Sequence, residues 1–199
     1  MMGWAHATTG AAAGAVTSGL SANPPVWAVS VLAGSILSDI DHPSATVTNM
    51  WGPLSRVPAR LLGPLVGGHR GATHHVLAAA AVTAGVVVAA QHPVASAVVF
   101  TILTGVALAA GAAVAGRDVP PLVNAAVSAA VGWGAFTLGW PLLPVAVPAG
   151  LGVLVHLAGD RVPVGGTRER LVVAAAYVAV GVWLAWPVWG SVSGTLATV

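Results

Sequence analysis

Residues 69–90 read HRGATHHVLAAAAVTAGVVVAA. A polar head holding His69, Arg70, Thr73, His74 and His75 runs straight into a stretch, Val76 to Ala90, with no ionisable side chain. With its flanks the apolar run covers 73–91, and a membrane-spanning helix needs about 17–25 such residues. Working outward, runs bounded by proline, glycine and charge fall at 4–20, 26–38, 94–115, 120–138, 141–159 and 170–189. The five runs from residue 73 onward are long enough to span. The first two are short, and Ser21-Ala22-Asn23-Pro24-Pro25 joins them as a turn, so they read as a tilted hairpin or a partly inserted pair. The expected fold is all-α: a polytopic transmembrane bundle of about five to seven helices, forming a single membrane-embedded domain over residues 1–199.

Composition excludes the soluble alternative. Apolar residues make up 57% of the 199 and charged residues only 6%. A soluble domain carries about 25% charge, because water must solvate its surface. Seven basic and five acidic residues cannot cover a chain of this size. Small residues recur inside the runs, as in Gly10 to Gly14 and Ala109 to Ala113, and in lipid these let helix backbones approach closely. There is no cysteine, which excludes disulfides and thiolate ligands, so any metal must be held by imidazole and carboxylate. A formal charge of +2 is too small to argue for nucleic acid. Met1 to His6 lacks the basic region of a secretory signal, so the segment is expected to stay in the mature protein.

The one long connection spans 42–71. Four prolines (43, 53, 58 and 64) and Arg56 and Arg60 make it a loop or an interfacial segment at the cytoplasmic side. If the chain enters at one face and crosses at each run in turn, that face receives the N-terminus, this connection, the link 116–119 and the loop 160–169. Every Asp, Glu and Arg lies in or beside those four places, with all the histidines except His92. The positive-inside rule makes that face cytoplasmic.

Three constellations there carry chemistry. Asp39-Ile40-Asp41-His42 ends the second run, and two carboxylates with an imidazole exceed what capping a helix end requires. His69 and His74 share a site only if His69 precedes the third helix, which Gly68 and Gly71 permit. Arg70 is able to hold a phosphate or carboxylate in a two-pronged hydrogen bond, or else anchors among lipid headgroups. His156 and Asp160 stand at i and i+4 near the end of the sixth run, offering two ligands from one helical face or a hydrogen-bonded helix end. His6 alone reads as an interfacial side chain and gains weight from the company of the others. Asp118 beside Arg117, and Glu169 between two arginines, read as surface pairs. Carboxylates gathered at one membrane face repel unless neutralised, and divalent cations would neutralise them. Mixed His/Asp ligation suits zinc, or manganese, better than calcium or copper(I).

These same residues resemble the YdjM-like family of predicted membrane-bound metal-dependent hydrolases. His6 stands at the family's early histidine, and Ser38-Asp39-Ile40-Asp41-His42 matches its Pro-Asp-Ile-Asp-His segment with serine for proline. His69-Arg70-Gly71-Ala72-Thr73-His74 matches in full, and His156-Leu157-Ala158-Gly159-Asp160 matches the late His-Leu-x-x-Asp. Val162-Pro163-Val164-Gly165 departs by lacking the threonine of Thr-Pro-x-Gly. More distantly the arrangement is similar to zinc-dependent phospholipase C and P1-type nucleases, which are all-helical and use His/Asp ligands.

The expectation is therefore metal-dependent hydrolysis of an ester or phosphoester, with lipid as a natural substrate, at the cytoplasmic face of a bacterial-type inner membrane. His6, Asp39, Asp41, His42, His69, His74, His156 and Asp160 would hold one to three ions. Asp39 or Asp41, if unligated, would act as base, Arg70 would stabilise developing negative charge, and Arg70 with Thr73 would contact substrate. The rival readings are a divalent-metal transporter or sensor, which needs ligands near the bilayer midplane, and a non-catalytic scaffold.

Overall fold

The computed structural model describes residues 3–67 and 71–160. Among these, every regular element is helical: α1 (Gly3–Thr17), α2 (Pro24–Leu37), α3 (Thr46–Asn49), α4 (Pro53–Leu65), α5 (Val76–Ala89), α6 (Pro93–Val114), α7 (Pro121–Leu138) and α8 (Leu143–Asp160). Single 3-10 turns occupy Ser18–Leu20, Ser38–Asp41 and Ala72–His74. Helices α2, α4, α6 and α7 each carry proline in the first turn, where a missing N–H removes no helical bond. The all-α expectation holds.

Helices α6, α7 and α8, with 22, 18 and 18 residues, are long and apolar enough to cross a membrane. α5 has 14 residues and falls short of the run expected at 73–91. The reason is local. His75 is extended (φ −100°, ψ 149°) and its Nδ1 accepts the Leu77 N–H, so the helix starts only at Val76, while His74 belongs to the preceding 3-10 turn. α1 and α2, with 15 and 14 residues, are short as expected. The run at 170–189 lies outside the described residues.

Most of the long connection is helical, in α3 and α4. Pro53 opens α4, and Pro58 and Pro64 lie within it. The helix is also amphipathic. Leu54, Val57, Leu61 and Leu65 recur at i, i+3, i+7 and i+11 along one side and are exposed, while Ala59 and Gly63 are buried on the other. A Cβ at Gly63 would lie only 3.2 Å from the Asp41 carbonyl, so the small face of α4 rests against the Ser38–Asp41 turn.

At the centre, α2 packs against α1, α6 and α8, and α8 also touches α1 and α5. The α2–α8 crossing is close because two glycines meet there. A Cβ on Gly34 would overlap the Ala149 carbonyl, and one on Gly152 would overlap that of Val31. On the far side, α7 packs against α6. Leu122, Trp133 and Leu138 on α7 and Val94 on α6 are more than half exposed, as a lipid-facing surface requires.

Candidate metal centre

Four chain segments deliver the site. α1 brings His6 from its first turn and a half, and the 3-10 turn after α2 brings Asp39 and Asp41. The 3-10 turn before α5 brings Thr73 and His74, and the end of α8 brings His156 and Asp160. Small residues set the spacing. A Cβ at Gly10 would overlap Ser35, and one at Gly150 would overlap Thr83, so α1 sits tight on α2 and α5 on α8.

The result is a buried cluster of imidazoles and carboxylates. His6 and His156 stack with ring centroids 3.8 Å apart and 21° between planes. His156 Nε2 lies 3.1 Å from His74 Nε2 and 3.6 Å from Asp39 Oδ1. His74 Nε2 lies 3.6 Å from Asp39 Oδ1 and 3.5 Å from Asp160 Oδ2. Asp160 uses both oxygens: Oδ2 is 3.6 Å from His156 Nε2, and Oδ1 is 3.2 Å from His6 Nε2. Among the described residues these atoms form two groups that share one histidine, His6/Asp39/His156 and His74/His156/Asp160.

His156 is wholly buried, and its Nδ1–H donates to the Ser35 carbonyl at 2.7 Å. That bond fixes the tautomer and turns the Nε2 lone pair into the cluster, as an outer hydrogen bond does for a metal-ligating histidine. A second carboxylate stands behind His74. Asp41 Oδ2 accepts the Thr73 hydroxyl and lies 3.9 Å from His74 Nδ1, and Thr73 Oγ1 is 3.1 Å from the same nitrogen. Asp41 and Thr73 are thus placed to orient His74.

Burial on its own would push the Asp39 carboxyl up, but His74 beside it, and then the imidazoles of His156 and His6, hold it below the ordinary 3.8. His74 is raised above 6.5, chiefly by its polar contact with Asp39, against the opposing effect of burial, with Asp41 and Asp160 adding to it.

The donor set fits zinc or manganese. Tetrahedral zinc with bonds of about 2.1 Å separates its donors by about 3.4 Å. The N–N and N–O separations here, 3.1 to 3.6 Å, bracket that value. His6 Nδ1, by contrast, is buried with no hydrogen-bond partner among the described residues, so nothing there fixes that ring's tautomer as Ser35 fixes that of His156.

Of the expected site residues, the fold brings His6, Asp39, His74, His156 and Asp160 into one cluster, with Asp41 and Thr73 adjacent. His42 belongs to neither group, and its Nδ1 lies 3.0 Å from the Ser44 hydroxyl. His69 and Arg70 lie outside the described residues, as does the 162–165 motif. Two contributors gave no sequence signal. Ser35 acts through its main chain, where residue type leaves no mark. Thr48 donates its hydroxyl to the His42 carbonyl at 2.8 Å and so pins the turn that carries both aspartates.

A cleft of about 410 Å³ opens on this cluster, lined by His74, His75 and Asp160 on its polar side and by Val76, Leu154, Leu157 and Ala158 on its apolar side. It runs between the start of α5 and the end of α8, so a ligand there meets both the cluster and hydrocarbon-like surface.

No curated protein and no solved structure matches the chain, so the remoter likeness to zinc-dependent phospholipase C and P1-type nucleases has no support from them. A family model does match, over residues 1–169, and that span contains every element of the cluster. The chain belongs to the YdjM inner membrane protein family.

Proposed function

We propose that this membrane protein is a metal-dependent hydrolase of an ester or phosphoester, with an amphiphile such as a phospholipid as substrate. The carrying observation is the convergence of His6, Asp39, His74, His156 and Asp160, from four separated segments, at 3.1 to 3.6 Å. The two oxygens of Asp160 face different histidines, which suits a carboxylate shared between two ions. A bound zinc or manganese ion would lower the pKa of water and polarise the substrate oxygen.

The chain's own groups supply the rest. Asp41 and Thr73 hold the His74 ring in place, and Ser35 holds His156. The cleft's apolar side takes an acyl chain while its polar side, with Asp160 and His75, takes the ester. Arg70, next to this turn in sequence, stabilises negative charge on the substrate. The donors stand at helix ends rather than at mid-helix, which favours chemistry at a membrane face over passage through the bilayer. The arginine distribution supports a cytoplasmic orientation for that face, in a chain read as multi-pass with its shorter helices also entering the bilayer.

The test is elemental analysis of the purified protein, followed by hydrolysis of bis(p-nitrophenyl) phosphate and of phospholipid with and without zinc or manganese. Metal-dependent turnover lost in Asp160→Asn and His74→Ala is the expected result. Bound metal with no turnover in any metal state would overturn hydrolysis while leaving the metal centre standing.

A further inference from the structure

A second polar site lies away from the metal centre and shares no residue with its cleft. Two adjoining cavities, of about 360 and 470 Å³, have Thr46, Ala113, Arg117 and Asp118 in common. The smaller also takes in Asn49 and Arg56. Its polar lining includes Asn49 from α3, Arg56 from α4, Arg117 and Asp118 from the link between α6 and α7, and Asn124 from α7.

The Arg56 side chain is held in place. Its Nε–H donates to Asn49 Oδ1 at 2.6 Å, and the Asn49 amide is anchored in turn by donating to the Ala45 carbonyl at 2.8 Å. An arginine oriented through Nε still has the two terminal nitrogens of its fork for a ligand. The turn leading into α4 is fastened to the start of α7 and the middle of α6. Trp51, two residues before it, donates its indole N–H to Asn124 Oδ1 at 3.0 Å, and Asn124 donates to the Gly105 carbonyl at 3.0 Å.

Depth identifies the ligand. Arg117 follows α6 and precedes α7, both long and apolar enough to span, so the groove sits where two spans leave the hydrocarbon. α4 carries its exposed Leu54, Val57, Leu61 and Leu65 along one side, with Arg56 about 145° from their mean direction. A helix of that pattern lies in the interface plane with leucines in the acyl region and arginines among phosphates. Asp118 is the one acidic group lining the groove, against two arginines.

We propose that the groove formed by Asn49, Arg56 and Arg117 binds the phosphate of an anionic phospholipid headgroup. This stands on the groove alone and is independent of the hydrolase reading.

The test is delipidation of the full-length protein in mild detergent, then native mass spectrometry after exchange into nanodiscs of phosphatidylglycerol or of phosphatidylcholine. The expected result is selective retention of phosphatidylglycerol. Retention should fall about fivefold for each of Arg56→Gln and Arg117→Gln, the size of one basic side chain's attraction to an anionic leaflet. Asp118→Asn, which keeps both arginines, should raise it. Arg60→Gln, on the same helix but outside the groove lining, should leave it within twofold of the unmodified protein. Equal loss in Arg60→Gln would show a diffuse charge effect and overturn the proposal. So would equal retention of both lipids, with inorganic phosphate alone raising the melting temperature, which would identify a soluble phosphate instead. If the arginine variants fail to fold, the absence of any rise in Asp118→Asn overturns it by itself.

Discussion

The Nδ1–H of His156 donates to the backbone carbonyl of Ser35 at 2.7 Å, across the crossing of α8 over α2. This bond requires the two backbones to approach closely, and Gly34 and Gly152 are what allow that approach. A residue of the candidate metal centre thus depends on two residues that never touch it.

Gly34→Ala and Gly152→Ala should each force α2 off α8, because the new methyl would meet backbone, which cannot rotate away. Expected are a stability loss of about 1–3 kcal/mol and a fall of about 10–100-fold in zinc affinity as His156 loses its carbonyl partner. Gly85→Ala, which would add its methyl to open space, should be neutral or stabilising by up to about 1 kcal/mol. Thermal unfolding and zinc competition with a chelating dye measure both.

Metal binding should strengthen as pH rises. His74 holds its proton above the usual 6.5 in the metal-free protein, and a cation must displace that proton. Affinity is expected to climb by about tenfold per pH unit from pH 6.5 up to the raised value of His74, and then to level off. A pH series of isothermal titrations reads this, and a flat profile from pH 6 to 8 would remove His74 from the ligand set.

Metal-free stability should have the opposite edge. The raised His74 stabilises the fold below 6.5, and that contribution is lost as pH rises through its folded value. The lowered Asp39 stabilises it above 3.8, and that contribution is lost as pH falls through its folded value. The metal-free protein should therefore gain most from this pair between about pH 4 and 6.5, the window set by the two shifts. Melting temperatures across pH 3 to 9, with chelator present, test it.

Asp41→Asn should weaken metal binding without removing a donor. It keeps the size of the side chain that receives the Thr73 hydroxyl and faces His74 Nδ1, but removes its charge. Metal affinity is expected to drop by about 10–100-fold with stoichiometry unchanged, as for other residues that orient a ligand. Asp160→Asn, which alters a donor facing three histidines, should lower the stoichiometry itself.

Asn124→Leu should cost about 1–3 kcal/mol, because the Trp51 indole N–H and the Gly105 carbonyl both lose their buried partner. Trp51 fluorescence should shift as its indole loses Asn124. The candidate metal centre, supported by α2 and α8, should keep its affinity for zinc.

Much of this architecture is legible in the order of the residues. Runs free of charge, ended by Pro24, Pro93 and Pro121, can be stable only as helices in lipid, since no other local structure satisfies every backbone group there. The confinement of aspartate and histidine to run ends names the candidate ligands, because ionisable groups are costly at the bilayer centre. Even so, the residues around 73–75 read as the start of a helix, whereas His75 is extended and caps α5. A side-chain-to-backbone bond of that kind has no apolar periodicity to announce it.

Tertiary structure alone decided which ligands meet. Asp39 and Asp41 are two residues apart and chemically identical, yet one faces His156 and His74 while the other backs His74 through Thr73. The sorting follows from where the α2 turn falls once Gly34 has docked on α8. The same holds for Arg56 and Arg117, 61 positions apart, which line one groove because Asn124 ties Trp51 to α6 and α7. Local sequence sets the polarity and length of each helix. Which side chains end within 4 Å of one another depends on how closely backbones pack, and that is a property of pairs of helices.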